Sequence, residues 1–158
     1  MPEQLSPSEI RASLIKYAAF CLSRRPYFEE TIRQKLVLRS KKLKFKNTTK
    51  IVTDILKDLK KSGYLDDPYL AQAFARRQLD KCYGPRVISL KLGRMKLTRE
   101  VIDLALEEAN VDKQVAAIRK YTLKYPKLDK YRLTGKLYSR GFSSSAINKL
   151  FDAEYIED

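Results

Sequence analysis

The chain has 158 residues, of which 44% are apolar and 33% are charged, and its formal net charge is +14 at pH 7. This apolar content excludes a chain that is disordered throughout, and only five Gly and six Pro favour helix over sheet. The charge exceeds what solubility requires, so we expect a polyanionic partner: nucleic acid first, an acidic protein or nucleoprotein surface next, a membrane surface last.

The first predicted helix begins at residues 6–9, Ser-Pro-Ser-Glu, where a serine cap, a proline in the first turn and a glutamate complete a capping box. Apolar residues then follow at helical spacing from Ile10 to Cys21. A middle helix carrying Leu36 and a third helix starting at Thr48 complete a first set of three.

The third helix of this set has a pattern that occurs three times. Thr48, Thr98 and Ser143 are each followed by apolar residues three, four, seven and eight positions later. A hydroxyl oxygen that accepts a free N–H starts a helix, and this spacing places the apolar residues on one stripe. Each hydroxyl residue follows a Lys-Leu pair, but the first gap is longer and Lys-rich at about residues 40–47. We interpret that stretch as a loop insertion or an extra helical turn.

Two further predicted helices begin the second and third copies. Asp67, followed by a proline, is predicted to cap one of them, and the other starts near Asp112. Before Asp67, Gly63 supplies a left-handed turn, and Tyr64 and Leu65 are expected to pack back onto the helix just ended.

The predicted fold is therefore all-α, with nine helices and no strand signal. It consists of three tandem three-helix repeats that form an elongated, curved array. The expected repeats are residues 6–65, with the Lys-rich insertion at about 40–47, then residues 66–110 and residues 111–154.

Few residues suggest catalysis or a cofactor. The chain has no histidine, its two cysteines are far apart, and it has no phosphate-binding glycine loop. The adjacent carboxylates Asp66 and Asp67 are able to hold Mg²⁺, but we favour a turn and an N-cap there. We expect no cofactor, no metal and no catalytic residue.

The sequence also predicts where in the cell the protein is located. No apolar run approaches the roughly 20 residues needed to span a membrane, and the N-terminus lacks the features of a secretory signal. We expect a cytoplasmic protein with no membrane partner.

Basic residues cluster on the predicted middle helix of each copy and beside it. Arg33 to Lys50 contains eight Lys or Arg and no acid, and Lys81 to Lys96 contains five and no acid. One such run is ordinarily a solvated face, but runs at equivalent positions favour a basic stripe for phosphates or acidic side chains. The candidate binding residues are Arg33, Lys35, Arg39, Lys41, Lys42, Arg86, Lys91, Arg94, Lys136 and Arg140.

Tyrosines near the helix joints leave two interpretations open. Tyr27, Tyr64, Tyr83 and Tyr138 are able to stack on unpaired bases or to pack in the core with the hydroxyl at its edge. We favour core packing.

Several segments, in this order, resemble the RecX family of regulatory proteins, and the resemblance runs from about residue 10 to about residue 152. They are Leu22-Ser23-Arg24-Arg25-Pro26-Tyr27, Arg33-Gln34-Lys35-Leu36, Gly63-Tyr64-Leu65-Asp66-Asp67, Tyr83-Gly84-Pro85-Arg86-Val87-Ile88 and Arg140-Gly141-Phe142-Ser143. Gly63 to Asp67 is the most recognisable of them and is expected to be a structural motif.

The resemblance implies a fold of three tandem three-helix repeats and a function without catalysis. Members of the family bind RecA, the recombinase that coats single-stranded DNA, lie along the groove of the RecA–DNA filament and restrain it. For this chain it implies a monomeric inhibitor that regulates recombination, DNA repair and the SOS response, with single- or double-stranded DNA as a second partner. A stand-alone DNA-binding protein is the alternative, and a metal-dependent enzyme using Asp66 and Asp67 is a third hypothesis.

The sequence departs from the family at the ends of the middle helices. The first middle helix usually starts with Ser and has Glu three residues later, where this chain has Phe28 and Thr31, so its cap must be made differently. The glycine usual at the end of the middle helix is present as Gly141, is replaced by Lys96 in the second copy, and in the first gives way to residues 40–47.

Overall fold

A computed structural model of the protein describes residues 5–154 and is helical with no strand over that range, which confirms the predicted all-α fold. Residues 1–4, at the N-terminus for which no secretory signal is expected, lie outside the described residues, as do residues 155–158. The helices are α1 (Pro7–Arg24), α2 (Glu29–Lys42), α3 (Thr48–Lys61), α4 (Asp67–Asp80), α5 (Pro85–Arg94), α6 (Arg99–Leu106), a short 3₁₀ helix (Glu107–Ala109), α7 (Val111–Thr122), α8 (Lys130–Ser139) and α9 (Ser144–Glu154).

The chain divides into two compact units, Met1–Leu70 and Ala71–Asp158. In chain order the helices also fit sets of three, α1–α3, α4–α6 and α7–α9; the exact repeat boundaries stay a prediction. Across the described part of the chain, no helix combines the length and the apolar character needed to cross a membrane.

The first unit is a three-helix unit in which α1 packs on α2 and α3, and α2 packs on α3. Its core contains Ile10, Leu14, Ala18, Cys21, Ile32, Leu36, Val52, Ile55, Leu56 and Leu65. Leu65 therefore packs back onto the helices as predicted, since its side chain is buried with them. Tyr64 does not, because it is 65% exposed.

The Lys-rich stretch at about 40–47 is mainly an extra turn of helix. α2 has 14 residues, whereas α5 and α8 have 10 each. The expectation that this stretch replaces the helix-ending turn is wrong. Lys44 adopts φ 56°, and the N–H of Phe45 donates to a carbonyl five residues earlier. Lys96 and Gly141 hold the same left-handed position after α5 and α8.

The hydroxyl residues that were predicted to start helices do so in two cases of three. Thr98 and Ser143 each accept a hydrogen bond from the backbone N–H three residues later. Thr48 is not a cap, because α3 begins at Thr48 itself and its hydroxyl donates to the carbonyl oxygen of Phe45. Asn47 precedes the helix and makes no side-chain cap, so α3 starts without the hydroxyl cap of α6 and α9.

In the second unit α7 packs on α9 and α5 packs on α6. A buried amide joins the starts of α7 and α9: Gln114 donates to the carbonyl oxygen of Ala109 at 2.7 Å and accepts from the backbone N–H of Ser143 at 3.0 Å. The turn before α5 lies against the turn after α8, because the N–H of Gly84 donates to the carbonyl oxygen of Arg140 at 2.8 Å. The contact between Gly84 and Arg140 holds the start of α5 against the end of α8.

Candidate functional site

The carboxylate pair at the start of α4 serves two different helices. α4 begins at Asp67, so Asp67 is not its cap as predicted. Asp66 is the cap, because its Oδ1 accepts the N–H of Tyr69 at 3.0 Å. Asp67 accepts the N–H of Glu29 at 2.9 Å. It thereby caps α2, whose own cap position, Phe28, makes no side-chain hydrogen bond.

Burial raises the pKa of Asp67 above its ordinary value of 3.8, against the lowering effect of the hydrogen bond from Glu29. The Glu29 carboxylate raises that pKa further, while Lys60, whose Nζ lies 3.1 Å from Glu29 Oε2, lowers it. Both carboxylates of the pair are therefore occupied in capping. Within residues 5–154 no three His, Cys, Asp or Glu are grouped so that they could hold a metal ion, so the metal-dependent hypothesis has no assembled ligand set there.

On the middle helix of the first unit, three predicted binding residues contact neighbours. Arg33 lies 3.4 Å from carboxylate oxygens of both Glu29 and Glu30. Lys35 lies over the ring of Tyr27, and Arg39 lies over the ring of Tyr17. These contacts use part of the charge and direct the stems of the side chains along the protein surface.

The extra turn of α2 carries lysines that pair with no other side chain among the described residues. Lys41 and Lys42 are exposed and have no ion pair, hydrogen bond or ring contact to another side chain in the described part of the chain. Lys44, Lys46 and Lys50 extend the same exposed stretch, which contains no acid. The first unit therefore presents five lysines to solvent within ten residues.

Two cations of α5 are engaged within the second unit. Arg86 Nη2 donates to the carbonyl oxygen of Tyr138 at 2.6 Å. Lys91 Nζ donates to Gln78 Oε1 at 2.7 Å and lies 4.1 Å from the centre of the Tyr83 ring. Arg94, at the end of α5, is exposed and makes no such contact among the residues that the structure describes.

Arg140 has the most complete set of internal contacts among the ten candidates. Its Nε donates to the carbonyl oxygen of Cys82 at 2.6 Å, and its Nη2 donates to that of Lys81 at 2.7 Å. Its guanidinium also lies 4.3 Å from the ring centre of Tyr83 and 4.7 Å from that of Tyr121. These contacts hold the chain that leaves α4, where Cys82 has a φ of 59°.

On α8, Lys136 lies at 6.0 Å from the ring centre of Tyr125 and is exposed. The structure thus distributes the predicted cations between internal contacts and open surface. Three of them, Lys41, Lys42 and Arg94, make no side-chain hydrogen bond, ion pair or ring contact with any described residue.

Exposed tyrosines are the feature that sequence reasoning missed. Tyr64 and Tyr138 are 65% and 39% exposed, so core packing is wrong for both, while Tyr27 and Tyr83 are half-buried beneath cations. Tyr131, which sequence reasoning did not single out, is 89% exposed. The signal available for it was its register on α8, opposite the apolar positions of that helix.

No family model matches the chain. It is 31% identical over 128 residues to Regulatory protein RecX of Thermus thermophilus, covering 81% of this chain and 82% of that protein. It is 35% identical over 141 residues to Regulatory protein RecX of a Thermotoga species, covering 87% and 82%.

Two solved structures share the fold. The crystal structure of regulatory protein RecX matches with a TM-score of 0.74 and 25% identity over 92% of this chain and 73% of that one. The crystal structure of RecX from Lactobacillus salivarius matches with a TM-score of 0.78 over 92% and 97%, and its 18% identity indicates likeness of fold alone.

Proposed function

Because the chain belongs to the family of RecX regulatory proteins, we propose that it is a non-enzymatic regulator of the RecA recombinase. It binds the filament that RecA forms on DNA and inhibits its activity, in recombination, DNA repair and the SOS response. RecA is the partner that the sequence motifs imply through their resemblance to the family. A cytoplasmic location and a monomeric state belong to the same proposal.

The observation that carries the proposal is the presence, on the middle helices, of exposed cations whose charged groups make no hydrogen bond, ion pair or ring contact in the described part of the chain. The chain has a net charge of +14, and Lys41, Lys42 and Arg94 have no side-chain partner among the described residues. Cations of this kind bind phosphates or carboxylates by displacing counterions, with a strong dependence on salt. A nucleoprotein filament offers both kinds of anion.

The proposed binding residues are of two kinds. Lys41, Lys42 and Arg94 contact the filament directly, and Lys35, Arg39 and Lys136 do so from positions against aromatic rings. The other four candidates shape the surface by their internal contacts; they are Arg33, Arg86, Lys91 and Arg140. The repeats at 6–65, 66–110 and 111–154 supply middle helices α2, α5 and α8 as the elements that bind.

The test is the DNA-dependent ATPase of RecA with this protein titrated in at low salt. We expect inhibition that weakens as salt rises. A Lys41→Gln/Lys42→Gln/Arg94→Gln variant should inhibit less, because three unpartnered charges are lost. Lys57→Gln/Lys61→Gln on α3 is a control, since both lysines are exposed and have no partner among the described residues. Absence of inhibition at every ratio would contradict the proposal.

A helical DNA-binding protein that acts without RecA is the second candidate. The acid-free stretch from Lys41 to Lys50 favours it, because five exposed lysines suffice for salt-dependent contact with duplex phosphates. Salt-dependent binding to bare duplex DNA, with no change in the ATPase of RecA, would support this candidate over the first.

A further inference from the structure

One face of α8 is open in a way that the packing of the second unit does not explain. Tyr131, Gly135 and Tyr138 stand at positions i, i+4 and i+7, which share one side of a helix; we call them the α8 tyrosine face. Leu137, on the other side, is completely buried. The tyrosine face therefore points away from the core of its unit.

Tyr131 is 89% exposed, and its side chain makes no hydrogen bond or ring contact with other described residues. Tyr138 is 39% exposed and its hydroxyl is 3.2 Å from Ser144 Oγ. The two residues are about 10 Å apart along the helix axis, at 1.5 Å per residue. The two tyrosines together leave exposed aromatic surface on one side of α8, and such surface is available to a partner.

Gly135 lies between the two tyrosines, in the interior of α8. Glycine weakens a helix relative to alanine because it has more backbone freedom to lose. The fold does not require glycine here, since a Cβ at this position would meet no atom within 4 Å and the residue is not among those with positive φ. What the missing side chain provides is bare helix surface, which allows a partner to approach closely between the rings.

The sequence that contains α8 is positively charged over a long stretch. Residues 113–151 contain one acid, Asp129, which caps α8 and pairs with Arg132 at 3.4 Å. The same stretch contains ten cations: Lys113, Arg119, Lys120, Lys124, Lys127, Lys130, Arg132, Lys136, Arg140 and Lys149. Arg132 and Lys136 lie along one edge of the tyrosine face, by their register on α8.

We propose that the α8 tyrosine face binds single-stranded nucleic acid. An unpaired base stacks on the ring of Tyr131, the strand runs over Gly135 towards Tyr138, and Arg132 and Lys136 contact its phosphates. Exposed aromatic rings among cations bind single strands in this way, since every base has a flat face and every nucleotide carries a phosphate. A paired base in a duplex hides its faces within the stack, so the site prefers single strands.

This inference deepens the proposed function, because it names a direct contact with the nucleic acid in addition to the recombinase. The experiment uses nucleic acid alone, so its failure would leave the regulation of RecA standing. Failure of the ATPase test would likewise leave this contact standing.

The chain has no tryptophan, so a Tyr131→Trp variant carries a single fluorescent reporter at the site. Titration with oligothymidylate should quench that fluorescence as a base stacks on the indole, and the same strand in a duplex should quench it much less. Tyr69→Trp is the matched control, since Tyr69 is 62% exposed but lies beside Asp66 and Asp67; it should not be quenched. Equal quenching at both positions, or none at position 131, would overturn the proposal.

Affinity for oligothymidylate then separates stacking from general apolar contact. Tyr131→Ala and Tyr131→Leu should each raise Kd by about five- to a hundredfold, because both remove the ring. Tyr131→Phe should stay near the parent value because it keeps the ring. If Tyr131→Leu binds as well as Tyr131→Phe, no base stacks there and the proposal is wrong.

Gly135→Ala changes stability and affinity in opposite directions. The added methyl group should raise Tm by about 2–4 °C while it weakens binding of the single strand by obstructing its approach. Unchanged affinity with a raised Tm would contradict the role given to Gly135.

If Tyr131→Ala weakens binding to the RecA filament but leaves oligothymidylate binding unchanged, the face contacts protein and the proposal fails.

Discussion

The backbone N–H of Gly84 donates to the carbonyl oxygen of Arg140 at 2.8 Å, so the turn after α4 and the turn after α8 touch backbone to backbone. A Cβ on Gly84 would overlap the backbone atoms of Gly141 and Phe142. This contact depends on having no side chain at position 84, which is a packing requirement and is separate from φ, since Gly84 has an ordinary φ of −85°.

Gly84→Ala should therefore destabilise the protein by roughly 1–3 kcal/mol, the usual cost of overpacking. Gly93→Ala is the matched control, because a Cβ there would meet nothing within 4 Å; it should be neutral or slightly stabilising. Urea denaturation of both variants, followed by circular dichroism, measures the difference. Equal stability of the two variants would mean that the two turns separate without cost.

The cap that Asp67 provides to α2 gives a second expectation. Asp67→Ala removes the acceptor for the N–H of Glu29 and should cost about 0.5–2 kcal/mol of stability. Asp67→Asn keeps an acceptor oxygen and should cost less. Thermal denaturation at neutral pH ranks the two variants, and an Asn variant as weak as the Ala variant would show that the charge, rather than the acceptor, matters.

The same residue predicts a pH dependence. Because the pKa of Asp67 is raised above 3.8 by burial, the folded chain binds this proton more tightly than the unfolded chain. Its favourable contribution is present below pH 3.8 and is lost as pH rises through the raised pKa. The unfolding free energy of the parent relative to Asp67→Asn should therefore fall across that window. A difference that is flat with pH, or that rises, would contradict the raised pKa.

Glu108 should show the opposite dependence. A hydrogen bond from Lys113, assisted by the nearby charges of Lys113 and Arg76, lowers its pKa below 4.5. Its contribution to stability is present above pH 4.5 and is lost as pH falls through the lowered pKa. The stability difference between the parent and Glu108→Gln should therefore shrink on acidification. A stability difference between the parent and Glu108→Gln that stays constant on acidification would contradict the lowered pKa.

Substitutions of Arg140 should affect folding, whereas substitutions of Lys41 and Lys42 in the extra turn of α2 should affect binding. Arg140→Ala leaves the carbonyl oxygens of Lys81 and Cys82 without their donors and should cost about 1–3 kcal/mol. Lys41→Gln/Lys42→Gln should leave Tm unchanged while it weakens inhibition of RecA. Denaturation and ATPase assays on the same preparations test both statements. A stable Arg140→Ala variant that no longer inhibits would place Arg140 at the interface.

Helix type and order were readable from the chain because they depend on local properties. The capping box at Ser6 and Glu9 forms as predicted, and the buried stripe that includes Val52, Ile55 and Leu56 follows from its spacing. Which residue ends α2 was not readable, since a left-handed lysine is locally unfavourable and nothing near Lys44 in the sequence marks it.

The positive charge of the candidate site could be predicted from the sequence. Which of its cations contact other parts of the protein, and which are open to solvent, could not. That Arg33 and Lys91 lie in basic runs is a property of the sequence. That Arg33 lies against Glu29 and Glu30 follows from helical spacing of four and three residues. The contact of Lys91 with Gln78 depends on how α5 meets α4, which no local pattern encodes.

An all-helical chain with a large positive charge, a likeness to RecX proteins and helical stripes at repeated spacing could be predicted from the residues alone. Helix propensity, charge and periodicity are short-range properties. Helix packing establishes that Asp67 caps α2, that Arg140 holds the end of α4 and that Tyr131 is exposed to solvent. The first two depend on neighbours that packing brings from distant parts of the chain, and the third depends on the absence of such a neighbour. The hydrogen bonds of Asp67 and Arg140 join residues that are 38 and 58 positions apart in the sequence, so they follow from where the helices pack.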